Sequence, residues 1–305
     1  MTHIQSARAQ PGKGKPGQAL VALLCIVMSL SACAKPASLP STAAATTVAA
    51  APAAGTQSAT AAKAAPAAQP HINAAREALK AGQFDQALAE AQAAVTADAQ
   101  SSEAQYLLGN AYNQMAGSEV DPQKRQDELA KAVDAYLAAI KLNPKFDAAY
   151  TNLATVYYQN GQFDDAQKNV ELALKLSPDD PTSHYVLGTI HLQRDPTKVP
   201  DALDKAQAEF EAAIKSDPKM GAAYIGLANV YLFRKDNAKA LENAQKGIDL
   251  DQASPSPYSY WALAQAQCNS GDKVNGTKSI EKINGFGPVD PLFKQQVQAL
   301  AARCK

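Results

Sequence analysis

The chain has 305 residues, with 29 Lys and Arg set against 29 Asp and Glu, so its formal charge is zero. A balanced chain offers no electrostatic footprint for nucleic acid, which requires a basic patch or stripe. The length exceeds one ordinary core of about 150 residues without demanding two domains, because a repeat array has no fixed length.

The first element is a leader. Arg8, Lys13 and Lys15 precede an apolar run over residues 19–30, which closes on Leu30-Ser31-Ala32-Cys33. A membrane span needs roughly 20 apolar residues, so this run is too short to be one. The pattern resembles a bacterial lipoprotein signal peptide. That resemblance, confined to residues 1–33, implies removal of residues 1–32 and attachment of diacylglycerol to the sulfur of Cys33; ordinary secretory cleavage is the alternative. Losing the three basic residues leaves 26 Lys and Arg against 29 Asp and Glu, a mature charge of −3. Cys25 departs with the leader and Cys33 is the lipid site, so the folded part keeps Cys268 and Cys304. An even pair in an exported chain suggests a disulfide.

Residues 33–69 form the second element. Beyond Cys33 this stretch is almost wholly Ala, Pro, Thr and Ser, with Lys35 and Lys63 its only charges. With nothing to bury it cannot offset the entropy of ordering, and it reads as a flexible, partly polyproline tether reaching up to about 100 Å.

From residue 70 to 305 the pattern is helical and repeats. Residues 147–180 read Tyr150, Leu153, Ala154, Tyr157, Gly161, Phe163, Ala166, Val170, Ala173, Pro178; residues 221–254 repeat much of this with Tyr224, Leu227, Ala228, Tyr231, Ala240 and Ala244. Small side chains fall where two antiparallel helices must approach, as Ala154 and Ala166 do, and Tyr157 and Tyr231 fill the wedge to the next repeat. Pro144, Pro178 and Pro218 stop second helices, and Gly82, Gly161 and Gly271 relax the tight links between helices. These places resemble the 34-residue tetratricopeptide repeat. The resemblance implies an all-α, right-handed superhelical solenoid of about six helix-turn-helix repeats.

Its small-residue anchors are Ala75, Gly109, Ala154, Gly188, Ala228 and Ala264, spaced by 34, 45, 34, 40 and 36. The long spacings place insertions between the helices of repeats two (residues 116–126) and four (residues 195–201). Repeat six is degenerate, with Gly276 where alanine is expected. The amphipathic stretch 291–303 looks like the capping helix such arrays need. In this family the first helix of repeat six and the cap run side by side and parallel, which brings Cys268 and Cys304 to the same end and implies a disulfide; two unpaired buried thiols are the alternative.

No chemistry-bearing constellation appears. His184 and His191 lie seven apart on one helical face, but they hold the places of Tyr150 and Tyr157 and so read as packing substitutes rather than metal ligands. There is no phosphate loop, no nucleophile with a placed base and no Cys-x-x-Cys pair, so neither enzyme activity nor a cofactor or metal is expected. Asn275-Gly276-Thr277 matches a glycosylation sequon by chance.

In the family, five positions of each first helix face the bound ligand. Carried across residue by residue, they point to Tyr106, Asn110, Asn113, Tyr158, Tyr185, Leu192, Asn229, Phe233, Trp261 and Gln265 as a nearly uncharged peptide-binding groove, with what charge there is (Arg76, Lys80, Glu103) at the first two repeats. Amides and hydroxyls pair with main chain, and aromatic rings give contact area at low entropy cost. The implied function is a non-enzymatic scaffold or adaptor lipoprotein, of the pilotin or peptidoglycan-enzyme adaptor type. It would bind a protein or peptide partner from the periplasmic side of a Gram-negative membrane, the outer one because Ala34 rather than Asp follows Cys33. A glycan- or small-ligand-binding protein is the alternative.

Overall fold

A computed structural model describes residues 65–194, 199, 201–251, 256–286 and 291–305. The leader, Cys33, most of the tether and most of the repeat-four insertion lie outside the described residues. Within them are 13 helices and no strand. Six hairpins follow one another: α1 (Gln69–Lys80) with α2 (Phe84–Ala97), α3 (Ser102–Ser118) with α4 (Pro122–Leu142), α5 (Asp147–Gln159) with α6 (Phe163–Leu176), α7 (Pro181–Gln193) with α8 (Ala202–Ser216), α9 (Gly221–Phe233) with α10 (Asn237–Leu250), and α11 (Pro257–Asn269) with α12 (Lys273–Asn284). A single helix, α13 (Pro291–Arg303), closes the array. Among the described residues no helix is long and apolar enough to cross a membrane.

Each hairpin packs on the next, and every first helix also touches the next first helix, from α1–α3 through to α11–α13. Second helices make no comparable contacts with one another. The first helices therefore form the tighter, inner layer of the curve, and α13 stands where the first helix of a seventh repeat would stand. The array is an all-α solenoid built from nearest-neighbour contacts.

Local chemistry explains the hairpins. In repeats one, three, five and six the first helix ends in a residue with left-handed backbone: Gly82 (φ 69°), Gly161 (φ 73°), Lys235 (φ 60°) and Gly271 (φ 83°). The next amide then reaches back to the helix: Gln83 to Ala78, Gln162 to Tyr157, Asp236 to Tyr231 and Asp272 to Gln267, each at 2.9 Å. This is the Schellman termination, which satisfies carbonyls that the helix end leaves open. Second helices end on extended Asn143, Ser177 and Asp217, each followed by proline, which forbids the helical conformation to the residue before it.

The repeat-two insertion is not the loop that its spacing suggested. Helix α3 runs to 17 residues and α4 to 21, against 13 and 14 in α5 and α6. The eleven extra residues amount to about three turns at 3.6 residues each, so the hairpin lengthens without rotating its packing faces. Asp121 accepts the amides of Gln123 and Lys124 and Pro122 opens α4, which leaves only residues 119–121 outside helix.

The seams follow the small-residue rule with a twist. Ala154 and Ala166 are both fully buried. In repeats two and four the anchor is glycine because an aromatic ring fills the space a methyl would take: a Cβ on Gly109 would sit 2.6 Å from the Tyr136 ring, and one on Gly188 would sit 2.9 Å from Phe210. Phe210 also closes on Gly226 of the next repeat, where a Cβ would be 2.5 Å away. Gly276 is not a sign of decay either. A Cβ there would meet Cys268 Sγ at 2.5 Å and Cys304 Sγ at 2.6 Å. Those sulfurs form a disulfide across a sequence separation of 36, joining α11 to the residue just past α13.

Candidate functional site

The inner face of the first helices is the candidate site, and it is knit together by side chains from successive repeats. Asn110 Oδ1 accepts the Tyr136 hydroxyl at 2.7 Å and the Asn152 amide at 2.7 Å, and Asn152 also donates to the Tyr106 hydroxyl at 3.1 Å. Burial holds the Tyr136 hydroxyl well above the ordinary phenol range, so it stays a neutral donor. Thr151 and Ser183 share a hydrogen bond of 2.6 Å between repeats three and four. Arg76 donates to Glu103 between repeats one and two.

The ten sequence-predicted groove residues do not share one environment. Leu192, Trp261 and Gln265 are buried, each 5% exposed. Leu192 belongs to a cluster with Phe210 and Leu227, and Trp261 stands edge-on to Phe293 of the cap at 5.6 Å. Leu192 and Trp261 thus pack within the solenoid, and all three present little surface to a ligand. Tyr106, Tyr158 and Tyr185 are half-buried, and they spend ring area on Phe146 (4.8 Å), Phe163 (5.8 Å) and Phe210 (5.9 Å). Burial raises the hydroxyls of Tyr158 and Tyr185, opposed at Tyr158 by Gln193 and at Tyr185 by Thr189. Phe233 packs half-buried on the cluster around Leu192, Phe210 and Val230. Asn110, Asn113 and Asn229 are half-buried and remain within reach of a ligand, as do Gln114, Gln159 and Thr182, which are exposed.

A cavity of about 150 Å³ opens between repeats two, three and four, lined by Tyr106, Asp147, Ala148, Thr151, Asn152, Asp180 and Thr182. Asp147 accepts the Ala148 amide and the Ser177 hydroxyl, and Asp180 caps α7 through the Ser183 amide at 2.7 Å. Both carboxylates are thus committed to local structure. Sequence reasoning missed Asp147, Asn152 and Asp180 because they lie outside the five carried-over positions. A signal existed for Asp147 and Asp180, which stand at the starts of α5 and α7 where a carboxylate meets free helix amides; Asn152, inside α5, had none.

The histidines are structural. His184 bonds Glu209 Oε2 at 2.7 Å and the Pro178 carbonyl at 2.8 Å. His191 is 7% exposed and its pKa is lowered, chiefly by burial. Among the described residues no three His, Cys, Asp or Glu side chains gather as a metal site. In the sequon, the Asn275 amide donates to Asp272 Oδ2 at 2.7 Å and Gly276 lies under the disulfide.

Tetratricopeptide-repeat models match residues 72–117, 135–168 and 202–256. The chain contains tetratricopeptide repeats. Among solved structures, a chain of the APC/C hetero-tetramer Cut9–Hcn1 superposes with a TM-score of 0.65 at 16% identity, over 78% of this chain and 42% of that one. This chain thus spans less than half of that relative. PilF of Pseudomonas aeruginosa gives 0.57 at 15% identity, covering 76% of this chain and 97% of its own. A tetratricopeptide repeat protein of Parabacteroides merdae gives 0.53 at 17% identity, covering 79% and 90%. At such identities the likeness is one of fold. Repeats of this kind are protein-interaction scaffolds.

Proposed function

We propose that the protein is a non-enzymatic adaptor that holds an uncharged, extended segment of a partner protein along the inner face of its first helices. It would be anchored by a lipid on Cys33 to the periplasmic side of a Gram-negative outer membrane. The observation that carries the reading is the make-up of the accessible inner face. From repeat two to repeat five it offers Asn110, Asn113, Gln114, Gln159, Thr182 and Asn229, with no Lys or Arg among them and with Asp147 and Asp180 bound to local amides. Amides and hydroxyls match main-chain donors and acceptors, and a surface without basic side chains does not suit a carboxylate-bearing tail. The fold shared with PilF supports an assembly role of pilotin type, with a peptidoglycan-enzyme adaptor as its neighbour in kind.

The glycan reading depended on rings free to stack on sugar, and Tyr106, Tyr158, Tyr185 and Trp261 give ring area to protein neighbours instead. The test is affinity capture from membranes with the wild-type chain, with a Gln114→Arg/Gln159→Arg variant, and with an outer-face control, Lys175→Glu. The expected result is a partner retained by wild type and control and lost by the groove variant, with little change between low and high salt. A partner retained equally by all three places recognition elsewhere. Anchoring is checked separately by Cys33→Ser, which should release the chain from the membrane fraction or leave it unprocessed.

A further inference from the structure

The two ends of the solenoid carry opposite charge. Residues 65–146, the first two repeats, hold seven Lys and Arg against ten Asp and Glu, a balance of −3, whereas residues 256–305 hold six against three, a balance of +3. Three arginines of the body are paired, Arg76 with Glu103, Arg194 with Asp164 and Arg234 with Asp204. At the C-terminal end Lys278, Lys282, Lys294 and Arg303 are exposed and make no ion pair among the described residues. Along α12, Val274, Lys278 and Lys282 recur every fourth residue and so share one face, opposite the buried Gly276, Ile280 and Ile283. Val274 is 68% exposed.

The N-terminal end presents the complement. Because α3 runs a full turn longer than its counterparts, it overhangs the α1–α2 turn and leaves a cavity of about 400 Å³ containing Phe84, Met115 and Asp85. The hairpin tip above it bears Val120, 94% exposed, between Glu119 and Asp121. Lys124 and Arg125 also lie near this tip, but Glu119, Asp121 and Asp127 on the same hairpin, with Asp85 at the start of α2, outnumber them. Repeats three to five separate this shelf from α12, so the acidic apolar shelf and the basic apolar stripe belong to opposite ends of one array.

We propose that copies of this chain associate with one another: the α12 stripe of one seats Val274 in the shelf of another, over Phe84 and Met115, with Lys278 and Lys282 facing Asp85 and Glu119. The contact is heterologous, joining two different patches. It does not depend on the groove or on the lipid.

The experiment is sedimentation velocity of the full chain at ~100 µM, near the weak end of protein association, in low salt and in ~0.5 M salt, where exposed charges are screened within a few Å. A species larger than the monomer is expected in low salt and lost in high salt. Lys278→Glu/Lys282→Glu should weaken it by about tenfold or more, and so should Asp85→Lys/Glu119→Lys. Mixing the two variants makes two opposite-charge contacts possible, the native stripe of the second on the native shelf of the first and the reversed pair, and a mixed complex should reappear. Asp85, Lys278 and Lys282 are exposed and Glu119 is half-buried, and unchanged helicity and melting confirm the fold of each variant. A monomer throughout this range, or a larger species indifferent to both reversals, overturns the proposal.

Discussion

Repeat three and its neighbours solve one packing problem in different ways. In repeat three the helices meet through Ala154 and Ala166, with Val170 beside them, all fully buried. In repeats two and four the position of Val170 is held by Tyr136 and Phe210, and the facing anchor becomes glycine. In repeat six the glycine is on the second helix, at Gly276, and a disulfide fills the gap. Seam volume is conserved while the residues that fill it are not. Glycine inside a helix costs about 1 kcal/mol against alanine, and the buried ring or the cross-link offsets that cost. A repeat that departs from the family pattern at one anchor is therefore compensated at its partner.

The largest expected effect comes from opening the disulfide. Closing a loop of this length stabilises by about 4 kcal/mol on chain-entropy grounds, and in a nearest-neighbour array the loss should stay local. Replacing both Cys268 and Cys304 by Ala should reduce hydrogen-exchange protection over residues 256–305 and leave repeat three unaffected. Equal loss across all repeats would mean the array unfolds as one unit.

Converting the unusual seams toward repeat three comes next. Gly276→Ala should destabilise the oxidised protein by about 1–3 kcal/mol through overpacking and lose that penalty when both cysteines are already alanine. Gly109→Ala should behave likewise, with rescue by Tyr136→Val, which recreates the pairing of Ala154 with Val170. Thermal melts in a double-mutant cycle read both couplings; simple additivity would separate the glycines from the groups above them.

Repeat five differs from repeat three at the turn, where Lys235 adopts the left-handed conformation that Gly161 holds elsewhere. Lys235→Gly should gain up to about 1 kcal/mol, because only glycine enters this region without a Cβ penalty. A drop in melting temperature would show that the lysine side chain contributes more than its backbone strain removes.

The smallest effect is pH-dependent. His191 occupies the place of Tyr157, and burial lowers its pKa, aided by Lys205 and Arg194 and opposed by Glu209. A base with a lowered folded pKa binds fewer protons than the unfolded chain, so stability falls as pH drops below about 6.5, the ordinary histidine value. His191→Phe should flatten the slope of melting temperature between pH 7 and 5 relative to wild type. An identical slope in both proteins removes His191 from the acid sensitivity.

Helix number, hairpin order, the turn glycines and the helix-stopping prolines were legible because each depends on local sterics or on a short-range period. Gly161 signals a left-handed turn wherever it occurs, and Pro178 ends a helix in any context. The groove was only partly legible. Position within a repeat says that Tyr185 and Trp261 lie on the inner layer, but not that Phe210 and Phe293 already occupy their rings, since those neighbours come from other helices.

What the sequence determined by itself was repetition: six small-residue anchors 34 to 45 residues apart dictate six hairpins, whatever their partners. Tertiary structure alone decided which inner-face side chains stay accessible. It also turned the eleven residues inserted in repeat two into three turns of helix rather than a loop, and required glycine at position 276. Each of these depends on atoms far apart in sequence competing for one volume, and such competition leaves no trace in a local pattern until the chain has closed on itself.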